Sequence, residues 1–455
     1  MNHRFKSWQQ DLFKSVDCSS LGLFRLLFGL LLLGQSFFIF TPEFIKENFI
    51  LPQYHFPFSL FEFLHLERLS PQGMQLLFLI MGITTLGIAT GLLLKISSLA
   101  YLLTFSYFFL FDKALYNDHY YLIILVTFLF LITQAQQWPP LNILRLKKVH
   151  HQLIPFWQIF ILRIQFVIVY FFSAVSKLNG DWLWRAQPLH RILSEKTFFG
   201  KTGEDAWVAY LFSYGGLTLV FLLSVLLLLN RHRIFTFFCT LVFNLTNHWI
   251  FDDIGIFPFL MIAGFVLFLK PDAPRKFVNR IQIFFHLPLD PSPGSTQKPL
   301  YCSAPYSKLV LCFIAIYITL QLFIPLRRWL YPGHPAWDFE GCRFSWRLKL
   351  NTKLVKMRII AMDPKTSKSF YVPFQNHVTN QQQWLDNMPD MLLQYVHYLK
   401  KDLIKIGIPD PIIKVEAQAS LNGRAYQPFI DSTVDLTKVR YPLFSHAHWI
   451  VPLRE

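Results

Sequence analysis

Apolar residues in this chain gather in runs of about 17–25, the length an α-helix needs to cross a bilayer. Short polar or basic connections separate the runs. The pattern predicts spans near 21–40, 73–94, 98–111, 120–135, 156–175, 207–229, 234–250, 254–269 and 306–325. The expected total is eight or nine, because short or re-entrant segments imitate spans. After Pro325 the periodicity changes. FSWRLKLNTKLVKMRIIAMD and KSFYVPFQ alternate apolar and polar residues around a turn-prone PKTSK, which predicts a β-hairpin. QQQWLDNMPDMLLQYVHYLKKDLIKIGI has helical spacing and ends in Gly-Ile-Pro, a stop signal. IIKVEAQASLNGRAYQPF predicts two more strands around an Asn-Gly turn. The expected architecture is an α-helical polytopic membrane domain over residues 1–325, followed by a small extracytoplasmic α+β domain over 326–455.

Composition supports the membrane assignment. Of 455 residues, 53% are hydrophobic and only 15% charged, against about 25% charged in soluble domains. The formal charge of +16 does not require nucleic acid, since no nucleic-acid motif is visible. Basic residues instead mark cytoplasmic loops. With the N-terminus inside, Arg4, Lys6, Lys14, Arg145, Lys147, Lys148, Arg231, Arg233, Arg275, Lys276 and Arg280 all fall inside. The outer loop with Arg185, Arg191, Lys196 and Lys201 is the one violation. MNHRFKSWQQDLFKSVDCSS is polar and basic, and the apolar run after it is long enough to remain a span rather than a cleaved signal. Under this topology Cys18 and Cys302 lie inside, Cys239 and Cys312 within spans and Cys342 outside, so no intrachain disulfide is expected. With no CxxC, HExxH or clustered Cys/His set, no tightly bound metal is expected. The absence of GxGxxG or a P-loop argues against a nucleotide site.

Three polar groups collect at one predicted rim. His119, with Asn117 and Asp118, precedes the fourth span. Lys177, Asn179, Asp181 and Trp182 close the fifth, in FFSAVSKLNGDWL. Asn247, His248 and Trp249 end the seventh, with Asp252 and Asp253 in the following turn. A lone lysine at a span end usually snorkels to water, and a lone histidine is usually interfacial. Three such groups on one rim are more suggestive. Arg163 and Gln165 fall inside the fifth span, where they either bridge helices by hydrogen bonds or hold a buried acceptor or carboxylate.

SKLNGDWL, NHWIFDDIGIFPFLMIA, FSWRLKL and WIVPL, in that order, resemble the vitamin K-dependent γ-glutamyl carboxylase family and its bacterial relatives with the horizontally transferred transmembrane (HTTM) domain. The resemblance runs from the first span to the C-terminus. It implies oxidation of a reduced naphthoquinol, vitamin K hydroquinone, with O2 to the epoxide. That reaction is coupled to removal of a γ-proton from a glutamate side chain and capture of CO2. It also implies that Lys177 is the base for the quinol, that His119, Asn247 and His248 polarise oxygens, and that Asn117, Asp118, Asp181, Trp182 and Arg163 belong to the quinol site. The implied partners are the bilayer, a lipid-soluble quinol and a Glu-containing protein or peptide. The compact length resembles bacterial members, which would mean the inner membrane; a eukaryotic source would mean the ER membrane. An amine acts as a base only when neutral, so desolvation has to lower its pKa; Arg185 would push the same way if close. Two departures stand out. Ser176 precedes Lys177 where vertebrate members carry a second lysine, and Asp118 stands where they have Asn. A quinol epoxidase without carboxylation, or a non-catalytic membrane receptor or transporter, is the alternative.

Overall fold

The computed structural model describes residues 9–38, 41–138, 153–196, 203, 205–251, 254–286, 304–348, 350–380 and 382–454. Arg4, Lys6, Arg145, Lys147, Lys148, Lys201, Asp252, Asp253 and Cys302 lie outside these.

Each predicted span is occupied by helix. The membrane part comprises α1 (Ser19–Phe38), α2 (Pro71–Thr90), α3 (Leu94–Phe111), α4 (Asp118–Ile132), α5 (Trp157–Ser176), α6 (Gly180–Arg185), α7 (Leu189–Ser194), α8 (Ala206–Leu229), α9 (Arg233–Ile250), α10 (Phe257–Gly264), α11 (Ala273–Phe284) and α12 (Ala304–Leu326). Among the described residues six helices are long and apolar enough to cross a membrane, or seven if α10 and α11, bent by 90°, form one broken span. The difference from eight or nine has visible causes. Helix α4 is apolar but has only 15 residues. Helix α9 carries Arg233, Thr236, Thr240, Asn244, Asn247 and His248 along its length. The predicted eighth span stops at Gly264, continues as a 3-10 turn over Phe265–Phe268 and then bends.

The helix bundle is apolar on both its inner and outer faces. Phe24, Phe28, Phe105, Phe130 and Phe166 pack inside, while Leu76, Leu79, Ile83, Leu86 and Leu211 point outward and exposed. Helices apolar all round are what a lipid solvent selects. Where regular helix ends inside the bundle, cations satisfy the freed carbonyls. Lys95 Nζ donates to the carbonyls of Phe130, Leu131 and Thr133 at the end of α4. Arg163 Nε donates to Leu267 O at 2.6 Å and its Nη2 to Leu269 O at 3.2 Å. Helix α11 is amphipathic: Phe277, Ile281, Ile283 and Phe284 are exposed on a segment that also carries Lys276 and Arg280. Its right-angle turn from α10 suits a helix lying in the interface plane.

The C-terminal unit is a four-stranded antiparallel sheet in the order β4-β3-β5-β6, with β3 Lys353–Met362, β4 Ser369–Val372, β5 Ile412–Leu421 and β6 Gln427–Ile430. The short β1 (Ser15–Asp17) and β2 (Leu153–Pro155) pair separately near the start of α1. Helix α13 (Pro389–Lys405) presents Leu392, Tyr395, Val396, Leu399 and Leu403 to the core, at the spacing of one helical face. The Asn-Gly hairpin forms as expected. Asn422 and Gly423 adopt φ of 51° and 78° between β5 and β6, a conformation these two residues tolerate best.

The expected strand over FSWRLKL does not form. Residues 343–346 instead make turns, with Phe344 at φ 63° and Trp346 at φ 56°. Positive φ is rare for bulky residues, and packing is what imposes it here. Trp346 is fully buried and stacks on Tyr121 with ring centroids 5.0 Å apart, and Phe344 sits edge-on to the same ring at 5.0 Å. The segment is therefore pulled down onto the membrane helices instead of joining the sheet. Around it, Lys113 Nζ and the Arg343 guanidinium both donate to Asp390, at 2.6 and 2.7 Å. Tyr54 donates to Asp402 at 2.6 Å, and Gln382 to Asp112 at 2.8 Å. The sheet unit and the helix bundle are thus joined by buried polar contacts as well as by shared apolar packing.

Candidate functional site

The fifth-span stretch builds the site by local rules. Helix α5 ends at Ser176, and Asn179 then caps α6 by accepting a hydrogen bond from Trp182 N at 3.0 Å. Helix α6 is locked along α8: Trp182 Nε1 donates to Ser213 O at 2.9 Å, and Ser213 Oγ donates to Trp182 O at 2.6 Å. This holds Lys177, one residue beyond the span, at the corner between two helices.

Lys177 does not snorkel. It is 6% exposed, and its Nζ donates to Ser173 Oγ at 2.9 Å and Ser173 O at 3.1 Å. The amine lies 5.2 Å from the centre of the Trp182 ring. Among the described residues no carboxylate lies within ion-pair distance of it. Burial without a counter-ion pushes its pKa down to about 7, and the positive charge of Arg347 adds to this. The expected cation was Arg185, which instead lies 4.0 Å from Asp181.

Lys177 forms part of the wall of a cavity of about 360 Å³ between α5, α8 and α9. Asn117, Asp118, Trp182 and Asn247 also line it, so the structure brings together residues from all three predicted rim groups. Ser173 and Asn244 are further lining residues that the sequence reading missed. Each carried a signal: Ser173 is four residues before Lys177, and Asn244 three before Asn247, both on a shared helix face. Asn244 Nδ2 is fixed by the Tyr170 hydroxyl at 2.9 Å. Opposite, Gly215 and Gly216 of α8 leave room, and a Cβ on Gly215 would meet nothing within 4 Å. The rest of the wall is apolar. Two of its members, Leu211 and Val242, are 60% and 53% exposed on the outward faces of α8 and α9. The chamber is therefore reached from the side that faces lipid.

Four expected residues lie elsewhere. Both carboxylate oxygens of Asp181 are occupied by Arg424, at 2.6 and 2.9 Å, and Oδ2 also accepts from Asn422 at 2.7 Å. Burial alone would raise its pKa; the hydrogen bonds from Arg424 and Asn422 outweigh that and hold the carboxyl below its usual range. Asp181 thus clasps the β5–β6 hairpin to α6. Arg163 is 14 positions before Lys177, about 21 Å along a helix, and caps the 3-10 turn. His119 is buried beside Tyr120 and Gly255, behind the wall. His248 is exposed next to Phe259, with ring centroids 4.9 Å apart, while its neighbour Asn247 lines the chamber. Among the described residues no group of three or more His, Cys, Asp or Glu could hold a metal ion.

An apolar chamber with a lipid-side mouth suits a flat, lipid-soluble ring. Its amine, carboxylate and amide groups can bind the oxygens of such a ring and take a proton from one of them. Comparison with known families agrees in kind. Residues 13–273 match the HTTM domain, and residues 306–455 match the vitamin K-dependent gamma-carboxylase, lumenal domain. The second match begins inside α12 and takes in the whole sheet unit. No solved structure matches the chain.

Proposed function

We propose, from the premise that this chain belongs to the vitamin K-dependent γ-carboxylase family, that it couples oxidation of a reduced naphthoquinol by O2 to carboxylation of glutamate side chains. The observation that carries the reading is Lys177, a buried amine that has no counter-ion among the described residues, in the wall of an apolar, lipid-accessible chamber. The residues present fit the ring: Asn117, Asp118 and Asn247 would hold its oxygens, and Trp182 would cover its face. When bound, the quinol supplies the oxygen chemistry that drives removal of the γ-proton. The protein's part is to exclude water and to take a proton from the quinol hydroxyl onto Lys177 Nζ. Ser173 orients that amine through its two hydrogen bonds. The expectation for His119 and His248 becomes narrower. His119 would act through its packing behind the wall, and His248 through the helix end that aims Asn247. The N-terminus is read as cytoplasmic and the sheet unit as extracytoplasmic from the basic connections, and the membrane as a bacterial inner membrane from the compact length.

Measuring quinone epoxide and fixed CO2 in the same reaction tests this proposal. Coupled formation of both supports it, and epoxide alone would mean an epoxidase. The base has to be neutral, so the rate should climb as pH rises through about 7 and level off above. A rate that falls across that range would exclude Lys177 as base. A second expectation concerns space. Gly215→Leu starts its side chain from a Cβ in open space and adds bulk to the chamber wall, so its KM for quinol should rise by about tenfold or more while the fold persists. An unchanged KM would move the ring elsewhere.

A further inference from the structure

Helix α9 brings a second amide to the chamber beside Asn247. Asn244 lies one turn further into the span and lines the same wall. It is 2% exposed, and both of its N–H groups are engaged. Nδ2 donates to the Tyr170 hydroxyl at 2.9 Å and to Thr240 O, one turn back on its own helix, at 2.8 Å. The second bond fixes which way the amide faces. Thr240 O is a backbone carbonyl and can only accept, so the nitrogen has to lie against it. A flipped amide would set two carbonyl oxygens against each other.

The oxygen is left over. Among the described residues no donor meets Asn244 Oδ1. The atom is not sealed among protein atoms either, and in a side chain this buried the space that reaches it is the chamber. An acceptor turned into an apolar space without a donor is costly. A ligand hydroxyl relieves that cost, and a ligand carbonyl adds to it.

The outer end of the chamber has the opposite polarity. Asn117 Oδ1 accepts from His119 N at 3.4 Å, which leaves the Asn117 N–H groups as donors. Lys177 Nζ folds back onto Ser173. Tyr170, which holds Asn244, is three residues before Ser173, about 4.5 Å further along α5. The amine and the amide oxygen are therefore anchored at successive turns of one helix face, one for each end of a ring.

We propose that Asn244 selects the reduced form of the ring: its Oδ1 accepts a hydrogen bond from the quinol hydroxyl that Lys177 does not deprotonate, and opposes the carbonyl that a quinone or an epoxide would place there. This rests on the reading of the chamber as the quinol site. The three molecules share a flat fused ring and nearly the same outline, so an apolar wall cannot separate them. They differ at their oxygens, where the quinol carries O–H donors and the other two carry acceptors. An acceptor with no donor of its own to offer tells them apart. It also gives turnover a direction. The reactant is held, and the product, once its hydroxyl has become a carbonyl, meets a like partial charge and leaves through the lipid-side mouth.

The test is a binding measurement without O2 on the full chain in lipid nanodiscs. It compares a short-tailed naphthoquinol, kept reduced under argon, with its quinone and with the quinone epoxide. Wild type should bind the quinol more tightly than either oxidised form. Asn244→Leu, close in size and without polar atoms, should cut that preference by about tenfold, the range of one hydrogen bond exchanged for one unpaired acceptor. Asn244→Asp should keep it, because a carboxyl protonated toward Thr240 O still presents an oxygen to the chamber. An unchanged preference in Asn244→Leu, or its equal loss in Asn244→Asp, would overturn the proposal. Equal binding of all three molecules by wild type would overturn it too, while leaving the ring in the chamber. Binding of none of them would remove the quinol reading as well.

Discussion

Replacing Lys177 by alanine is expected to lower quinol epoxide formation by about a hundredfold to ten-thousandfold, the range over which a positioned general base accelerates proton transfer. The expectation follows from what the chamber lacks as much as from what it holds. Among the described residues Asp118 is the only carboxylate in the chamber wall, and it already accepts a hydrogen bond from Tyr116 at 2.8 Å. The Tyr116 oxygen in turn accepts from Phe344 N at 2.6 Å. Asp118 is thus part of a chain of contacts pinning the 343–346 turns to the helices. The amides of Asn117, Asn244 and Asn247 cannot take a proton at neutral pH. Lys177 is left as the group suited to the task. The substitution should not unfold the chain, because it removes a buried amine that has no carboxylate partner. Epoxide formation at the wild-type rate in a folded Lys177→Ala protein would remove the base from the account.

The largest expected effect on stability lies at the joint between the sheet unit and the helix bundle. Asp390 is buried and accepts from both Lys113 and Arg343. Burial alone would raise its pKa, but the charges and hydrogen bonds of Arg343 and Lys113 hold it well below the usual carboxylate range. Asp390→Ala leaves the buried Lys113 and the half-buried Arg343 with no anion between them. Breaking such a cluster costs about 3–5 kcal/mol, so the apparent melting temperature should fall by about 3–5 °C for a chain of this length. Aspartate ionises near pH 3.9 in an unfolded chain, so a depressed folded pKa stabilises the protein above that value and stops doing so as pH falls below it. Wild type should therefore lose stability steeply below about pH 4, and the variant less so. Equal melting temperatures at pH 7 would mean that the apolar contacts carry the joint unaided.

How far the sequence could be read depended on the range of the forces involved. Helices in lipid are set by local hydropathy, so every predicted span is occupied by helix. The amphipathic face of α13 and the Asn-Gly turn are also local, and both appeared where expected. Lys177 was legible because an amine at the end of an apolar run is costly wherever it points. Long-range contacts were less visible. FSWRLKL alternates like a strand, yet Trp346 and Phe344 find Tyr121, some 220 positions earlier, and that burial outweighs the alternation. Arg347 sits inside the misread segment, so its place beside Lys177 could not be seen. Asp181 looked like a site residue by its neighbours, and only the folded hairpin shows Arg424 and Asn422 occupying it. Arg163 looked functional because it is charged within a span; the carbonyls it caps belong to a 3-10 turn about a hundred residues later.

The central claim is that a neutral amine at position 177 takes the quinol proton. The most direct measurement is chemical rescue: quinone epoxide formed by Lys177→Ala with and without added ethylamine, across a range of pH. The account predicts little epoxide without the amine, and a return of activity that follows the concentration of free, unprotonated ethylamine in the space the side chain vacated. Full activity without ethylamine would contradict it.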